Sequence, residues 1–328
     1  MGFVRQGLNG CAAVVATMLL ARSGAPDAGR PEPLPARQSE TAAPFVARPE
    51  RTLRHPDGPL QLRLASGNDV PSPWPNAWVY VPTRFDPEAE LHVIVMFHGF
   101  HNCVASYASK GGLPCTRDGA MRPGYDLAGQ MDRAESGAIL VVPEVARDEA
   151  SSDPGKLGEP GALAAFVREL LDDALAPYIG EHRSSDVARL ALVASSGGYQ
   201  ALTPALERGG LPVTDVYLLD ACYVYRSSPI GSFLFASSDA FAGPRPARRF
   251  GVLYSRGAGA FPTSDGMRRE AEQWLDKDGL RELGHFTTKR AEPKEDEFEA
   301  PVFFVYSHLM HDAIVARYFW QVVRASGL

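Results

Sequence analysis

The stretch LALVASSGGYQALTPALE, residues 190–207, decides the fold. An apolar run typical of a buried strand ends in two serines and two glycines, and a helical pattern follows at once. Ala194, Ser196 and Gly198 give the junction a small-x-Ser-x-small pattern, because larger side chains would collide with a serine on so tight a turn. The pattern predicts a nucleophile elbow that leaves the Gly197 N–H free to donate to an oxyanion. A serine–glycine helix cap is the alternative.

Strands and helices alternate on both sides of this junction. Buried strands are predicted from four apolar runs at 138–144, 216–221, 250–255 and 302–307. Leucines and alanines at helical spacing predict a helix over 161–179. This alternation predicts an α/β protein with a mostly parallel central sheet and helices on both faces.

Three further segments of the sequence predict local structure. Three short β-rich runs, LQLRLA, AWVYVP and LHVIVMFH, lie close together with turns between them, which predicts an antiparallel start to the sheet. The acidic stretch at 294–299 is expected to be a solvated loop. Apolar residues at helical spacing in 227–241 favour core packing over a lid that faces substrate.

Composition and charge bound the function class. The 328 residues are 45% hydrophobic and 22% charged, as in an ordinary folded protein. A formal net charge of -6 leaves no electrostatic footprint for nucleic acid or an anionic membrane, so a small or neutral substrate fits better.

The first 50 residues predict export. A basic start, an uninterrupted apolar run and a small polar zone predict a signal peptide over 1–22 that directs secretion or periplasmic export. A cytosolic amphipathic start is the alternative. The segment 23–50, rich in Pro and Ala, is expected to be a disordered linker ahead of a folded domain over 51–328. No later run has the length of a membrane span.

Export changes what the cysteines mean. Cys11 would leave with the signal peptide, and three cysteines would remain in a compartment where disulfides persist. Cys103 and Cys115 close a short Gly- and Ser-rich segment, so we expect them to form a disulfide. In the chain-entropy model such a bond stabilises the folded state by about 3 kcal/mol. Cys222 follows an apolar run and is expected to be an inert buried thiol. The cysteines show no grouping typical of a metal site.

From about Leu60 to the C-terminus the chain resembles the α/β-hydrolase superfamily. HVIVMFHGF at 92–100 looks like the strand and His-Gly loop that provide the second oxyanion donor there, which places that donor at the Phe100 N–H. WVYVPTRF is similar to a segment of secreted polyester depolymerases and feruloyl-type esterases. The chain departs from them in having Ala194 and Ser195 where Gly-His-Ser is more usual.

The superfamily's chain order of serine, acid and histidine selects the remaining catalytic candidates. Asp220 ends an apolar run, whereas Asp265 lies after the next strand, where the superfamily more often has its acid, but also suits a helix N-cap. Asp220 is preferred. His311 stands directly before the last helical pattern and is preferred to His308. Helix capping, packing or metal binding by the HxxH pair are the alternatives, although no third metal ligand lies nearby.

Other polar residues receive structural interpretations. His98 is expected to support the oxyanion loop, and His101 and Asn102 to line the pocket. Helix capping suffices for Glu144 and Glu159. A GAGAF fragment lacks the third glycine of a dinucleotide fingerprint, so no cofactor is expected.

Together these features predict an exported serine hydrolase that cleaves a small-molecule or polymeric carboxylic ester through Ser196, Asp220 and His311. A serine peptidase or amidase is one alternative, because the leaving group cannot be read from a triad. A non-catalytic binding or surface protein on the same scaffold is another, since fold does not establish function.

Overall fold

The computed structural model of the protein describes residues 55–256 and 259–328. The predicted signal peptide at 1–22, Cys11 within it and the linker at 23–50 lie outside the described residues. In these two ranges no helix is both long enough and apolar enough to cross a membrane.

A single sheet of nine strands organises the described part of the chain. The strands are β1 (Leu60–Leu62), β2 (Ala77–Tyr80), β3 (Leu91–Phe97), β4 (Ile139–Pro143), β5 (Val187–Ser195), β6 (Asp215–Leu219), β7 (Arg249–Tyr254), β8 (Gly284–Phe286) and β9 (Val302–Tyr306). Their order in the sheet is β1-β2-β4-β3-β5-β6-β7-β9-β8. The β1/β2 and β2/β4 pairs are antiparallel and all others are parallel, so the predicted mostly parallel sheet is confirmed.

The predicted antiparallel start is right for β1 and β2 and wrong for β3. Strand β3 lies between β4 and β5 and runs parallel to both, with Val95 opposite Val141 on one side and Leu192 on the other. All but one of its residues are buried, as expected for a central strand covered on both faces. Its partners come from far along the chain, so the nearby turns carry no information about them.

Helices cover both faces of the sheet, as predicted. The α-helices in the described ranges are α1 (Val104–Ala108), α2 (Leu127–Ala134), α3 (Ala162–Arg168), α4 (Tyr199–Arg208), α5 (Pro229–Phe235), α6 (Phe261–Lys277) and α7 (Ala313–Ser326). α1, α2 and α7 share one apolar core with residues such as Ile94 and Met96 of β3. α3 to α6 share the other core with Val93 and Val95, because successive strand residues point to opposite faces.

Three predicted segments are refined by the structure. The helix predicted over 161–179 is α3, continued by π-helical turns over Glu169–Ala174. In α5, Ile230 and Leu234 are fully buried, so that segment packs in the core as expected. The acidic stretch is a 3-10 turn over Glu295–Phe298 rather than a wholly solvated loop, because Phe298 is fully buried against Phe303.

Candidate active site

Ser196 lies on the tight turn between β5 and α4. It has a left-handed backbone with φ of +51°, which for a non-glycine residue costs about 1–3 kcal/mol and persists only when the surroundings enforce it. Gly198 is part of that enforcement, since a Cβ there would lie 2.3 Å from the Phe97 carbonyl oxygen. The small residue predicted two positions after the serine is therefore required by backbone contact.

Asp220 and His311 are brought together at the carboxyl ends of the parallel strands. Asp220 directly follows β6, and its fully buried Oδ2 lies 2.9 Å from Nδ1 of His311, which precedes α7. A carboxylate only accepts, so this contact assigns the proton to Nδ1 and leaves Nε2 of the imidazole as the acceptor. The pair thus has the geometry of a base oriented by an acid.

Ser255 completes the bonding of the Asp220 carboxylate. It is the first residue after β7, and its N–H donates to Oδ1 at 3.1 Å while its Oγ donates to Oδ2 at 2.5 Å. A buried carboxylate is costly unless its oxygens are bonded, so these contacts allow Asp220 to stay in the core. Sequence reasoning missed Ser255, although it follows β7 just as Asp220 follows β6.

The alternative acid and base lie elsewhere. The N–H of His308 donates to the Ala291 carbonyl at 2.9 Å, and its exposed ring faces the same oxygen at 3.3 Å. Asp265 is paired with Arg268 at 3.0 Å and with Arg269. It lies in the second turn of α6, which begins at Phe261, so its interpretation as an N-cap is wrong.

The two predicted oxyanion donors lie against each other across the elbow. A Cβ on Gly99 would be 2.8 Å from Cβ of Ser196, so the loop after β3 passes directly over the serine. A Cβ on Gly197 would lie 2.1 Å from the Phe100 ring, which is 38% exposed and covers that glycine. Glycines at both positions therefore permit the close approach of loop and elbow.

These segments border an open cleft of about 240 Å³. Its lining includes Ser196, His311, Phe100 and the predicted pocket residues His101 and Asn102. Tyr125 is also in the lining, and its pKa is raised to about 12 by burial and by the charge of Asp312, so its hydroxyl is a donor at neutral pH.

Tyr223 lies beside Ser196. Its ring stacks on Tyr199 with centroids 5.2 Å apart. Burial and the charge of Asp220 raise its pKa, and its contact with the Ser196 side chain acts in the opposite direction. A second protonated phenol therefore flanks the serine.

The cysteines agree with the prediction. Cys103 and Cys115 form a disulfide, which joins the residue before α1 to the loop that leads to the cleft. Cys222 is free and buried with its Sγ 3.6 Å from Sδ of Met267, and burial raises the pKa of its thiol to about 12.

Glu144 caps the first N–H of α1, as predicted, and it also has contacts that the sequence did not predict. It is fully buried, and its Oε1 lies 2.9 Å from Nε2 of His98, which is also fully buried. Its Oε2 accepts from Arg147 at 2.9 Å and from the Val104 N–H at 3.3 Å. In the sequence, the feature that could have indicated these contacts is a glutamate directly after a buried strand.

The described residues contain no candidate metal site. Within residues 55–256 and 259–328, no group of three or more His, Cys, Asp or Glu side chains has ligating geometry.

Known proteins resemble this chain in fold rather than in sequence. Its sequence matches no family model and no curated protein. It resembles a feruloyl esterase module from Clostridium thermocellum, a serine-to-alanine mutant complexed with sinapinate, at a TM-score of 0.50 and 12% identity over 89% of this chain and 96% of that one. A ferulic acid esterase gives a TM-score of 0.44 at 15% identity, over 76% of this chain and 92% of that one. An S-formylglutathione hydrolase from Agrobacterium tumefaciens gives 0.38 at 13% identity, over 76% and 89%.

Proposed function

We propose that this chain, which has the α/β-hydrolase fold, is a serine hydrolase that cleaves carboxylic esters through a covalent acyl-enzyme. The observation that carries the proposal is the buried Asp220 carboxylate 2.9 Å from Nδ1 of His311, a histidine that lines the same cleft as the strained elbow serine Ser196. Strain held at one serine beside an oriented imidazole is a feature of nucleophilic sites.

The proposed reaction follows from this geometry. His311 takes the proton of Ser196 through Nε2 as Oγ attacks the ester carbonyl, and Asp220 stabilises the resulting imidazolium. The N–H groups of Phe100 and Gly197 would receive the oxyanion. The imidazolium then protonates the leaving alcohol, and water, activated by the same histidine, releases the acid and restores Ser196.

We propose esters rather than amides as the substrates. The feruloyl esterase module that shares the fold is named for an ester, and nothing about the triad itself distinguishes the leaving groups. A panel of esters and amides of graded acyl length decides the matter, and turnover of amides alone would overturn the ester preference.

A fluorophosphonate probe tests the mechanism directly, because it phosphonylates only an activated serine. We expect labelling of Ser196 by peptide mapping, loss of labelling in Ser196→Ala and in His311→Ala, and normal labelling in Ser237→Ala, an exposed serine. Ser196→Ala should also lower ester turnover by about 10⁴-fold or more. A folded protein that resists the probe supports the non-catalytic scaffold, and an active Ser196→Ala variant eliminates the mechanism.

We also propose that the protein acts outside the reducing cytoplasm. The Cys103–Cys115 disulfide supports this location, because such bonds persist in oxidising compartments. The order of basic, apolar and small residues over 1–22 adds to the support. The mass of the protein recovered from the periplasm or medium should lack about the first 22 residues, and an intact N-terminus would contradict export by a cleaved signal.

A further inference from the structure

His98 is a buried histidine that the proposed chemistry does not use. It follows β3, its side chain is fully buried, and it lies beneath the loop that covers the elbow. Nε2 lies 2.9 Å from Oε1 of Glu144, and Nδ1 lies 2.9 Å from the carbonyl oxygen of Gly99. The ring thus connects a buried carboxylate to the backbone of the oxyanion loop.

The hydrogen bond to Gly99 sets the direction of a functional N–H. A carbonyl oxygen only accepts, so Nδ1 of His98 carries the proton and donates to it. The Gly99 carbonyl and the Phe100 N–H belong to one planar trans peptide, in which the two groups point in opposite directions. Holding the carbonyl toward the buried ring therefore turns the Phe100 N–H toward the cleft, which both residues line.

The Phe100 N–H is available for this role. Among the described residues, the structure records no acceptor for it, whereas the next N–H along, that of His101, donates to the Glu149 carbonyl at 2.7 Å. His101 is held in a left-handed conformation with φ of +53°, so the loop is fixed on both sides of Phe100. An unpartnered N–H between two anchored peptides can receive an oxyanion without reorganisation.

Glu144 holds the ring in place. Arg147 and the Val104 N–H bond its other oxygen, which fixes the carboxyl group beside the ring. The ring is held at both nitrogens, because Nε2 lies 2.9 Å from Oε1 of Glu144 and 3.4 Å from the Val145 backbone nitrogen, while Nδ1 donates to the Gly99 carbonyl. The Tyr107 ring is a further neighbour, with its centroid 5.9 Å away.

We propose that His98 and Glu144 are positioning residues that aim the Phe100 N–H at the oxyanion, an inference that depends on the proposed serine hydrolase activity. The anchor extends further, because Arg147 also donates to the Cys115 carbonyl and lies 4.2 Å above the Trp74 ring. The disulfide segment, the end of β4 and the oxyanion loop are therefore joined through one buried network.

Two substitutions of His98 separate this role from simple packing. An asparagine amide nitrogen can occupy the position of Nδ1, and a glutamine amide nitrogen that of Nε2. His98→Gln, which loses the bond to Gly99, should lower kcat by about tenfold to a hundredfold with KM changed by less than about twofold. His98→Asn, which keeps that bond and loses only the contact with Glu144, should lower kcat less, by about threefold to tenfold. Equal losses of kcat in the two variants, or a native kcat in His98→Gln, would overturn the proposal.

A transition-state analogue supplies a readout that packing would not move. A trifluoromethyl ketone forms a tetrahedral adduct on the serine, and this adduct carries an oxyanion. The affinity of the ketone for the His98→Gln variant should therefore fall by the same factor as kcat/KM. An unchanged affinity would contradict the proposal. The control is His92→Gln, which replaces a histidine at the other end of β3. This variant should keep the wild-type kcat/KM and the wild-type affinity for the ketone.

A substitution of Glu144 tests the same proposal if neither His98 variant folds. Glu144→Gln replaces one of the two oxygens by an amide nitrogen, so the side chain can no longer present oxygens both to His98 and to the donors Arg147 and Val104. We expect a kcat lower by about tenfold at unchanged KM. A native kcat in this variant would overturn the proposal. If the wild-type protein is not labelled by the fluorophosphonate, the proposed function itself fails. Labelling of the wild type, with equal rates in His98→Gln, would leave the hydrolase standing and remove the positioning role alone.

Discussion

The two sides of the cleft are built on different principles. On the proposed acid–base side the groups are side chains, and Ser255 and His311 both contact the carboxylate of Asp220. On the oxyanion side, the proposed donors are backbone N–H groups, whose direction depends on buried residues beneath them such as His98. A substitution on the acid–base side removes a side-chain group, whereas a substitution on the oxyanion side changes only the direction of a backbone N–H.

The largest expected effect tests the acid–base side. Asp220→Asn should lower kcat by about 10⁴-fold, because an amide can no longer hold the Nδ1 tautomer or stabilise the imidazolium. Asp265→Asn is the matched control, since Asp265 is paired with arginines on α6, and it should change kcat by less than about twofold. Steady-state kinetics on folded protein, checked by circular dichroism, measure both. If Asp265→Asn has the greater effect, the assignment of the acid is wrong.

An intermediate effect tests the oxyanion side. Replacing both Cys103 and Cys115 with serine releases the segment next to the oxyanion loop without leaving a stray thiol. We expect kcat to fall by about tenfold with KM nearly unchanged, because the donor acts chiefly in the transition state.

The same double variant should unfold more easily, by about 3 kcal/mol in the chain-entropy model, so activity is measured well below its melting temperature. A native kcat would show that the loop keeps its geometry without the bond. Peptide mapping that pairs Cys222 with either partner would contradict the disulfide itself.

The smallest expected effect concerns Cys222, which lies on the acid–base side. With a pKa near 12, about one thiol in ten thousand is ionised at pH 8, and the thiolate is the species that reacts. Iodoacetamide at pH 8 should therefore leave the native protein unlabelled at Cys222 and its activity unchanged, with full labelling in denaturant as the control. Rapid native labelling would mean that this side of the cleft opens to solvent.

The sequence predicted the acid–base side better than the oxyanion side, for a physical reason. Ser196 and Asp220 each directly follow a strand, and His311 lies on the short segment between β9 and α7. Because the carboxyl ends of parallel strands meet at one edge, these positions along the chain predict that the three residues lie close together. Ser255 also directly follows a strand but has no distinctive chemistry as a serine, and its contribution became visible only through its bonds to Asp220.

The buried network on the oxyanion side follows from pairings that local patterns do not contain. Strand β3 pairs with β4, which begins more than forty residues later, and this pairing brings Glu144 under His98. A glutamate after a strand ordinarily indicates a surface cap, so its burial could not be predicted from its neighbours. For the same reason the partners of β3 and the three-residue edge strand β8 were missed.

The meeting of Ser255 Oγ and His311 Nδ1 at a single oxygen of Asp220 has a consequence for how such a site can change over evolutionary time. The residues that follow β6 and β7 meet at this one buried oxygen, so the position of the acid depends on two strand ends and not on one. A chain that acquired aspartate at 255 before losing it at 220 would pass through an intermediate with two buried carboxyl groups in contact, which must share a proton because two such charges repel. The move of an acid from one strand end to the next therefore has a cost that is set by the burial of this site.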